Sequence, residues 1–242
     1  MGVIVVSGTG TEIGKTVVTA AVAAAAAARG RTVAVLKPAQ TGLSHGEPGD
    51  AREAARLAGA GVTGTELARF PEPLAPATAA RRAGMAPVAP HEVAEAAAKL
   101  AAEHDLVLVE GAGGLLVRFD ARGGTLADAA RLLGAPVLVV APAGLGTLNA
   151  TALTAEALRA RSLEPLGIVV GSWPTAPDLA ARCNLADLPE SAGAALLGAV
   201  PEGSGSLAPE AFRAAAPRWL APALGGSWDA EAFAADFGPA GR

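Results

Sequence analysis

Short, uninterrupted apolar runs alternate along this chain with longer stretches of helical character. Val3–Ser7, Thr32–Leu36, Leu106–Val109, Pro136–Val140, Leu166–Val170 and Leu196–Val200 read as strands, the last the least regular. They are short and apolar at nearly every position, the mark of strands buried on both faces. Between them the sequence predicts helices over Gly14–Arg29 (ended by Gly30), Ala51–Ala58, Pro90–Glu103, Thr125–Leu133 and Thr147–Arg161, with a short one over Ala176–Leu185. This alternation implies an α/β fold: a mostly parallel sheet with helices on both faces. In such sheets ligands gather at the C-terminal strand ends. Ser7, Lys37, Glu110, Ala141 and Gly171 all follow strands and should line one edge of one crevice.

Two stretches interrupt the pattern. Residues 38–50 read as a polar, Gly-rich loop, and residues 61–90 as a Pro-rich irregular insertion broken by short helical patches. From Pro209 onward, Trp219, Trp228, Phe233 and Phe237 stand among Ala, Pro and Gly, which suggests short helices packed on the rest. With 242 residues and no internal repeat, residues 1–242 are expected to form a single domain.

Composition narrows the partners. A formal net charge of −4 argues against nucleic acid. The single Cys183 excludes an internal disulfide and fits a reducing compartment. No basic segment precedes the first apolar run, and Ala20–Ala28 is too short to cross a bilayer, so a cytoplasmic location without membrane contact is expected. The wealth of Ala and Gly, the preference for Arg over Lys and the lack of Tyr resemble GC-rich coding bias. Individual alanines therefore carry little information.

The chemistry begins where the first strand ends. Gly8-x-x-x-x-Gly14-Lys15-Thr16 joins a strand to a helix, which is a P-loop in its required context. Gly8, Gly10 and Gly14 let backbone N–H groups close on phosphate oxygens, and the helix N-terminus adds free donors. Lys15 can reach the β- and γ-phosphates, and the Thr16 hydroxyl can ligate Mg²⁺. The fold is thus P-loop NTPase-like, with ATP and Mg²⁺ as the expected co-substrate and cofactor. Glu12 is unusual, because a carboxylate beside phosphates repels them; it is either turned away or contacts something else.

Other candidates lie on the same edge. Glu110 follows Leu-Val-Leu-Val and precedes Gly111–Ala112–Gly113–Gly114, where an acid can hold Mg²⁺. Asp50 suits either a helix N-cap or a second Mg²⁺ contact. Lys37 is either a solvated strand-end lysine or a cation facing a transferred phosphoryl group, with Thr41 four residues on as a hydroxyl donor. After the strand Pro136–Val140, Thr147 can cap the next helix, whose free N–H groups also suit a carboxylate. His45, His91 and His104 have no metal-binding spacing, and Cys183 reads as an inert thiol.

Read together, Gly8–Thr9–Gly10–Thr11–Glu12–Ile13–Gly14–Lys15–Thr16, Lys37–Pro38–Ala39–Gln40–Thr41–Gly42, Glu110–Gly111–Ala112–Gly113–Gly114 and Gly144–Leu145–Gly146–Thr147–Leu148–Asn149 resemble the dethiobiotin synthetases. The resemblance covers roughly the first two thirds of the chain. It implies ATP-dependent ring closure of 7,8-diaminopelargonate with CO₂. Lys37, Lys15, Thr11 and Thr41 would act on the carbamate, the diamine and the transferring phosphoryl group. Gly10 through Val17 would hold the nucleotide (Gly10, Thr11, Glu12, Ile13, Gly14, Lys15, Thr16 and Val17), with Gly171, Ser172, Pro201, Glu202 and Gly203 near the base. Thr16, Asp50 and Glu110 would hold Mg²⁺. Thr41 and Gly111, Ala112, Gly113 and Gly114 would border the diamine. The resemblance also implies a homodimer in which Gly146, Thr147, Leu148 and Asn149 of the partner subunit bind the substrate's tail carboxylate.

One departure stands out. Family members with a strong adenine preference often carry Asn after the strand matching Leu166–Val170, where this chain has Gly171–Ser172–Trp173. Ser cannot copy both contacts of the Asn amide, so weaker base selection, with CTP or GTP beside ATP, is the expectation. Two other P-loop classes fit less well. Amidoligases usually add an amidotransferase domain with a nucleophilic Cys, and many partition ATPases have an early P-loop lysine that Gly8–Thr9–Gly10–Thr11 lacks.

Overall fold

The computed structural model describes residues 2–239. Its strands are β1 (Gly2–Gly8), β2 (Val33–Thr41), β3 (Val62–Phe70), β4 (Leu106–Gly114), β5 (Val137–Ala141), β6 (Pro165–Trp173) and β7 (Leu196–Pro201). They form one seven-stranded sheet, ordered β3-β2-β4-β1-β5-β6-β7. Every ladder between them is parallel. The P-loop NTPase-like architecture thus follows the reading of the apolar runs.

The reason lies in the burial of alternate strand residues. Val6, Val33, Val35, Leu106, Leu108, Leu138 and Val140 join one core. Their neighbours Val5, Ala34, Leu36, Val107, Val109, Val137 and Val139 join another on the opposite face. A sheet sandwiched in this way must be apolar at every position. The first core is closed by α1 (Lys15–Ala27), α2 (Asp50–Ala58) and α8 (Pro209–Ala215), with Trp219, Leu220 and Leu224 from the C-terminal segment. The second is closed mainly by α4 (Pro90–Glu103) and α5 (Leu126–Leu133), with Leu158 of α6 (Thr147–Arg159).

Helix α1 is buried almost all round: Ala20, Ala21, Val22, Ala23, Ala24, Ala25 and Ala26 are each at most 4% exposed. Methyl side chains let it lie close to the sheet while α2 and the C-terminal segment cover its back. The alanines here are packing choices, whatever bias supplied them.

Three segments differ from the reading of the sequence. Residues 61–90 are no wholly irregular insertion, because Val62–Phe70 forms edge strand β3 and Pro76–Ala83 forms α3. β3 is an edge strand whose faces are only partly covered, so it needs little apolar surface, and only Val62 and Phe70 are buried. Gly64 lies where a Cβ would collide with the Ala51 carbonyl, so α2 crosses close above it. Strand β2 runs on to Thr41, placing Lys37 and Pro38 inside it and shortening the expected loop. Pro38 is tolerated because the β4 ladder ends at Leu36. The helix expected over Ala176–Leu185 is α7 (Leu179–Ala192), shifted and lengthened: Asp178 caps it, accepting from the Ala181 N–H at 2.7 Å, and it runs through Pro189 to Gly193. The C-terminal segment ends in α9 (Ala230–Phe237).

Candidate active site

All strands point the same way, so the ends of β1, β2 and β4 converge on one cleft of about 720 Å³. The residues from Thr11 through Thr16 form one wall. Lys37, Gln40, Thr41, Asp50 and Glu110 line the cleft beside Ala112, Gly113 and Val117, and Pro73–Pro76 close the far side.

The P-loop wall is shaped by missing side chains. A Cβ at Gly8 would stand 2.8 Å from Ile13 Cδ1 and 3.0 Å from both Gly10 O and Lys15 Cδ, filling the loop's interior. Gly14 caps α1 with φ of 90°, a left-handed conformation suited to glycine, and no side chain bonds the first turn. The free N–H groups of that turn are the donors an anion requires. Lys15 donates to Gly10 O at 2.7 Å across the loop. Burial, reinforced by Lys37, holds the Lys15 ammonium below the usual lysine range. A polyanion would relieve both effects.

The Glu12 question is answered by the backbone. Glu12 is exposed, with φ of 58°, on the rim of the cleft. Its carboxylate does not enter the loop interior.

At the cleft floor four groups converge from four elements, α1, β2, α2 and β4. Lys37 Nζ lies 2.9 Å from Glu110 Oε1 and 2.5 Å from Asp50 Oδ2, and donates to Gly111 O at 3.1 Å. Thr16 donates its hydroxyl to the same Glu110 Oε1 at 2.8 Å. Burial opposes the Lys37 charge, yet Glu110 and Asp50 outweigh it and raise its pKa above the ordinary lysine value. The solvated strand-end alternative for Lys37 is therefore excluded, since it is 3% exposed. The N-cap alternative for Asp50 is excluded too: Gly49 is the cap, and Asp50 turns its carboxylate to Lys37.

Glu110 Oε2 is buried and has no partner. An unpartnered buried carboxylate oxygen, with a hydroxyl and a second carboxylate beside it, fits a hard cation with oxygen ligands. Two carboxylates suit Mg²⁺ completed by phosphate oxygens and water better than a closed protein cage.

Gln40 lies within the Lys37–Gly42 motif, yet nothing in the sequence marks it as functional. Its Oε1 accepts the Asp50 N–H at 2.8 Å, and its amide donates to Thr41 O at 3.2 Å. It fixes the start of α2 and thereby aims Asp50. Its burial at 4% exposure is the signal that the sequence could not supply.

The remaining candidates divide. Thr11, Thr41, Ala112 and Gly113 border the cleft. Gly111 contributes its carbonyl to Lys37, while Gly114 faces a second, apolar groove of about 420 Å³ with Gly8, Thr9, Asn149 and Leu153. Gly146–Asn149 are absent from the main cleft of the same chain. Thr147 does not cap α6, contrary to the simplest expectation. Gly146 is the cap, at φ of 91°, and the Thr147 hydroxyl is buried without a partner.

Gly171 lies against the P-loop, where a Cβ would meet Ile13 O. Ser172 is exposed beside it. The Glu202 N–H donates to Trp173 O at 2.8 Å, tying the Pro201–Gly203 segment to the end of β6. A Cβ on Gly205 would be 3.1 Å from Val17 at the start of α1. The two strand ends and the helix start therefore share one neighbourhood next to the phosphate loop.

A family model described as an AAA domain matches residues 3–210. The chain is 73% identical over 239 residues to the ATP-dependent dethiobiotin synthetase of Streptomyces avermitilis, covering 99% of this chain and all of that one. It is 58% identical over 238 residues to that of Frankia casuarinae, covering 98% and 99%. Among solved structures it is similar to the Pyrococcus furiosus cell division ATPase MinD, with a TM-score of 0.58 at 20% identity over 89% of this chain and 97% of that one. A ParA family ATPase from Chlorobium tepidum gives 0.56 at 12% identity, covering 93% and 97%. At such identities the structural likeness speaks for the fold alone.

Proposed function

The chain belongs to the ATP-dependent dethiobiotin synthetases, and from that membership we infer that it converts 7,8-diaminopelargonate, CO₂ and ATP into dethiobiotin, ADP and phosphate, with Mg²⁺. The observation that carries the reading is the buried Lys37–Glu110 pair, joined to P-loop Thr16, on the floor of a cleft with room for more than a nucleotide's phosphates.

The route needs little covalent help from the protein. A neutral amine of the substrate adds to CO₂ and loses a proton, giving a carbamate. A carbamate oxygen attacks the γ-phosphorus, the bond to the β-phosphate oxygen breaks, and ADP leaves. The second amine then attacks the carbonyl of the mixed carbamic–phosphoric anhydride, closes the ureido ring and expels phosphate. Positioning and charge stabilisation suffice for each step.

The residues take the following parts. P-loop N–H groups and Lys15 hold the transferring phosphoryl oxygens. Lys37, kept charged by its two carboxylates, faces the carbamate and the incoming phosphoryl group. Thr11 and Thr41, both lining the cleft, hydrogen-bond the diamine and carbamate. Thr16, Asp50 and Glu110 hold Mg²⁺, which supplies charge neutralisation to the phosphates when bound. Gln40 keeps Asp50 aimed.

The active site is completed by a second copy of the chain, as the resemblance implies. Gly146–Asn149 do not line their own chain's cleft, and a partner's loop would bring them to the substrate tail. The free N-terminus of α6, capped by Gly146 with no side-chain hydrogen bond, suits a carboxylate. At the base, Ser172 offers a single hydroxyl, which supports use of CTP or GTP beside ATP.

Purified protein given bicarbonate, MgATP and the diamine should yield a product heavier by CO and lighter by two hydrogens, with ADP and phosphate. If mass spectrometry finds no such product in protein that binds nucleotide, the reading fails. Matched kinetics with ATP, CTP and GTP test the base; a thousand-fold preference for ATP, a factor worth about 4 kcal/mol, would refute relaxed selection.

A further inference from the structure

The end of β6 carries two buried anchors on either side of exposed Ser172. Gly171 lies against the P-loop, and Trp173, 6% exposed, lies against the C-terminal helix α9. The Trp173 ring meets Phe233 edge-on with centroids 5.2 Å apart, and Phe237 at 6.0 Å. Phe233 in turn meets Phe237 at 4.7 Å and Trp228 at 5.4 Å. Edge-to-face and tilted pairs at these separations fix ring orientation as well as burying area.

Trp173 also holds the neighbouring loop. Its carbonyl accepts from the Glu202 N–H at 2.8 Å, while the Glu202 carboxylate accepts from the Thr175 N–H at 3.1 Å. The Ser204 hydroxyl folds back on Pro201 O at 2.6 Å, which sets the turn that brings Gly205 against Val17. A continuous set of contacts therefore runs from α9 through Trp173 and Glu202 to the start of the P-loop helix.

We propose that α9, acting through Trp173, is a positioning element for the nucleotide. It holds Ser172 and the Pro201–Gly203 segment in register with the P-loop and so sets how tightly the nucleoside triphosphate binds. The inference rests on the reading that the base lies between Ser172 and Pro201–Gly203. A helix serving only to cover the sheet would change stability when weakened, and would leave the kinetic constants of folded enzyme unchanged.

Phe233→Ala and Phe237→Ala are the test, assayed in the full chain with ATP and with CTP. The KM for both nucleotides should rise, by about tenfold for Phe233→Ala and about threefold for Phe237→Ala, while kcat and the diamine KM stay within about twofold, the pattern of lost uniform binding. Trp173→Phe keeps an aromatic edge and should restore most of the nucleotide affinity that Trp173→Ala loses. Phe237 is 36% exposed, so its variant keeps the test alive if Phe233→Ala does not fold. Wild-type nucleotide KM values in folded Phe237→Ala protein overturn the proposal. Ser172→Asn separates the two ideas. If it changes the ATP-to-CTP ratio while the Phe variants do nothing, only the role of α9 falls; if it also does nothing, the base position falls with it.

Discussion

The backbones of Gly14 and Gly171 approach so closely that neither residue has room for a Cβ. On Gly14 it would collide with the Gly171 carbonyl, and on Gly171 it would collide with Ile13 O and stand 2.6 Å from Val140 Cγ1. The P-loop is thus seated on the end of β6, and its cradle depends on a residue 157 positions away (171 minus 14).

Gly171→Ala should therefore damage the phosphate site without touching phosphate. Overpacking of this kind costs about 1–3 kcal/mol, and the P-loop is the part that can yield. Urea unfolding should show that loss, and titration with a fluorescent ATP analogue should show affinity reduced by about tenfold or more. Unchanged affinity would mean that the loop tolerates displacement from β6.

Lys37→Met should remove turnover and also weaken the fold. The substitution leaves Glu110 buried with one hydroxyl partner, and breaking a buried pair costs about 3 kcal/mol. The stability penalty comes from burial, since Lys37 is 3% exposed. Lys37→Met combined with Glu110→Gln should recover much of the stability and none of the activity. The pH dependence has a definite sign. Because the Lys37 pKa is raised from 10.5, its contribution is complete below that value and is lost only as pH climbs through the folded-state value. The stability gap between wild type and the Lys37→Met, Glu110→Gln double variant, which leaves no unpaired buried carboxylate at position 110, should thus be flat between about pH 6 and pH 9.

Glu110→Gln should lower Mg²⁺ affinity in the presence of nucleotide by about tenfold or more. The amide keeps the shape and one acceptor for Thr16 and loses the charge. Titrating Mg²⁺ against nucleotide-loaded protein reads this directly. Equal Mg²⁺ dependence in the two proteins would remove Glu110 from the metal site.

Leu153→Glu tests the proposed second copy. Leu153 and Leu145 are 57% and 93% exposed, and Leu153 lines the apolar groove beside Gly8 and Gly114. A charge there should shift sedimentation toward monomer and reduce activity in a manner rescued by high protein concentration. A monomeric wild-type protein with full activity would refute the shared site.

The sheet was legible because strands buried on both faces write themselves as unbroken Val, Ile and Leu. Edge strand β3 was not, since Val62–Phe70, largely uncovered on its faces, spells itself in Thr, Gly, Glu and Arg. The site was legible where chemistry demands a residue type, as at Gly14–Lys15–Thr16, Lys37 and Glu110. Gln40 escaped because its work is to hold a backbone N–H, which many residues do elsewhere. For Gly171 the sequence shows a strand end, and its packing against Ile13 and Gly14 is visible only in three dimensions.

Helix α1 sets a different kind of boundary. A single base change in an alanine codon yields Val, Thr, Ser, Pro, Gly, Asp or Glu, and each brings bulk, a polar atom or a broken helix. Along Ala20–Ala26, enclosed on every side, almost none of these can be accommodated. Over the same length α4 turns much of its surface to solvent and can drift freely. Among descendants of this gene, the least remarkable residue type should therefore mark one of the slowest-changing stretches of the chain.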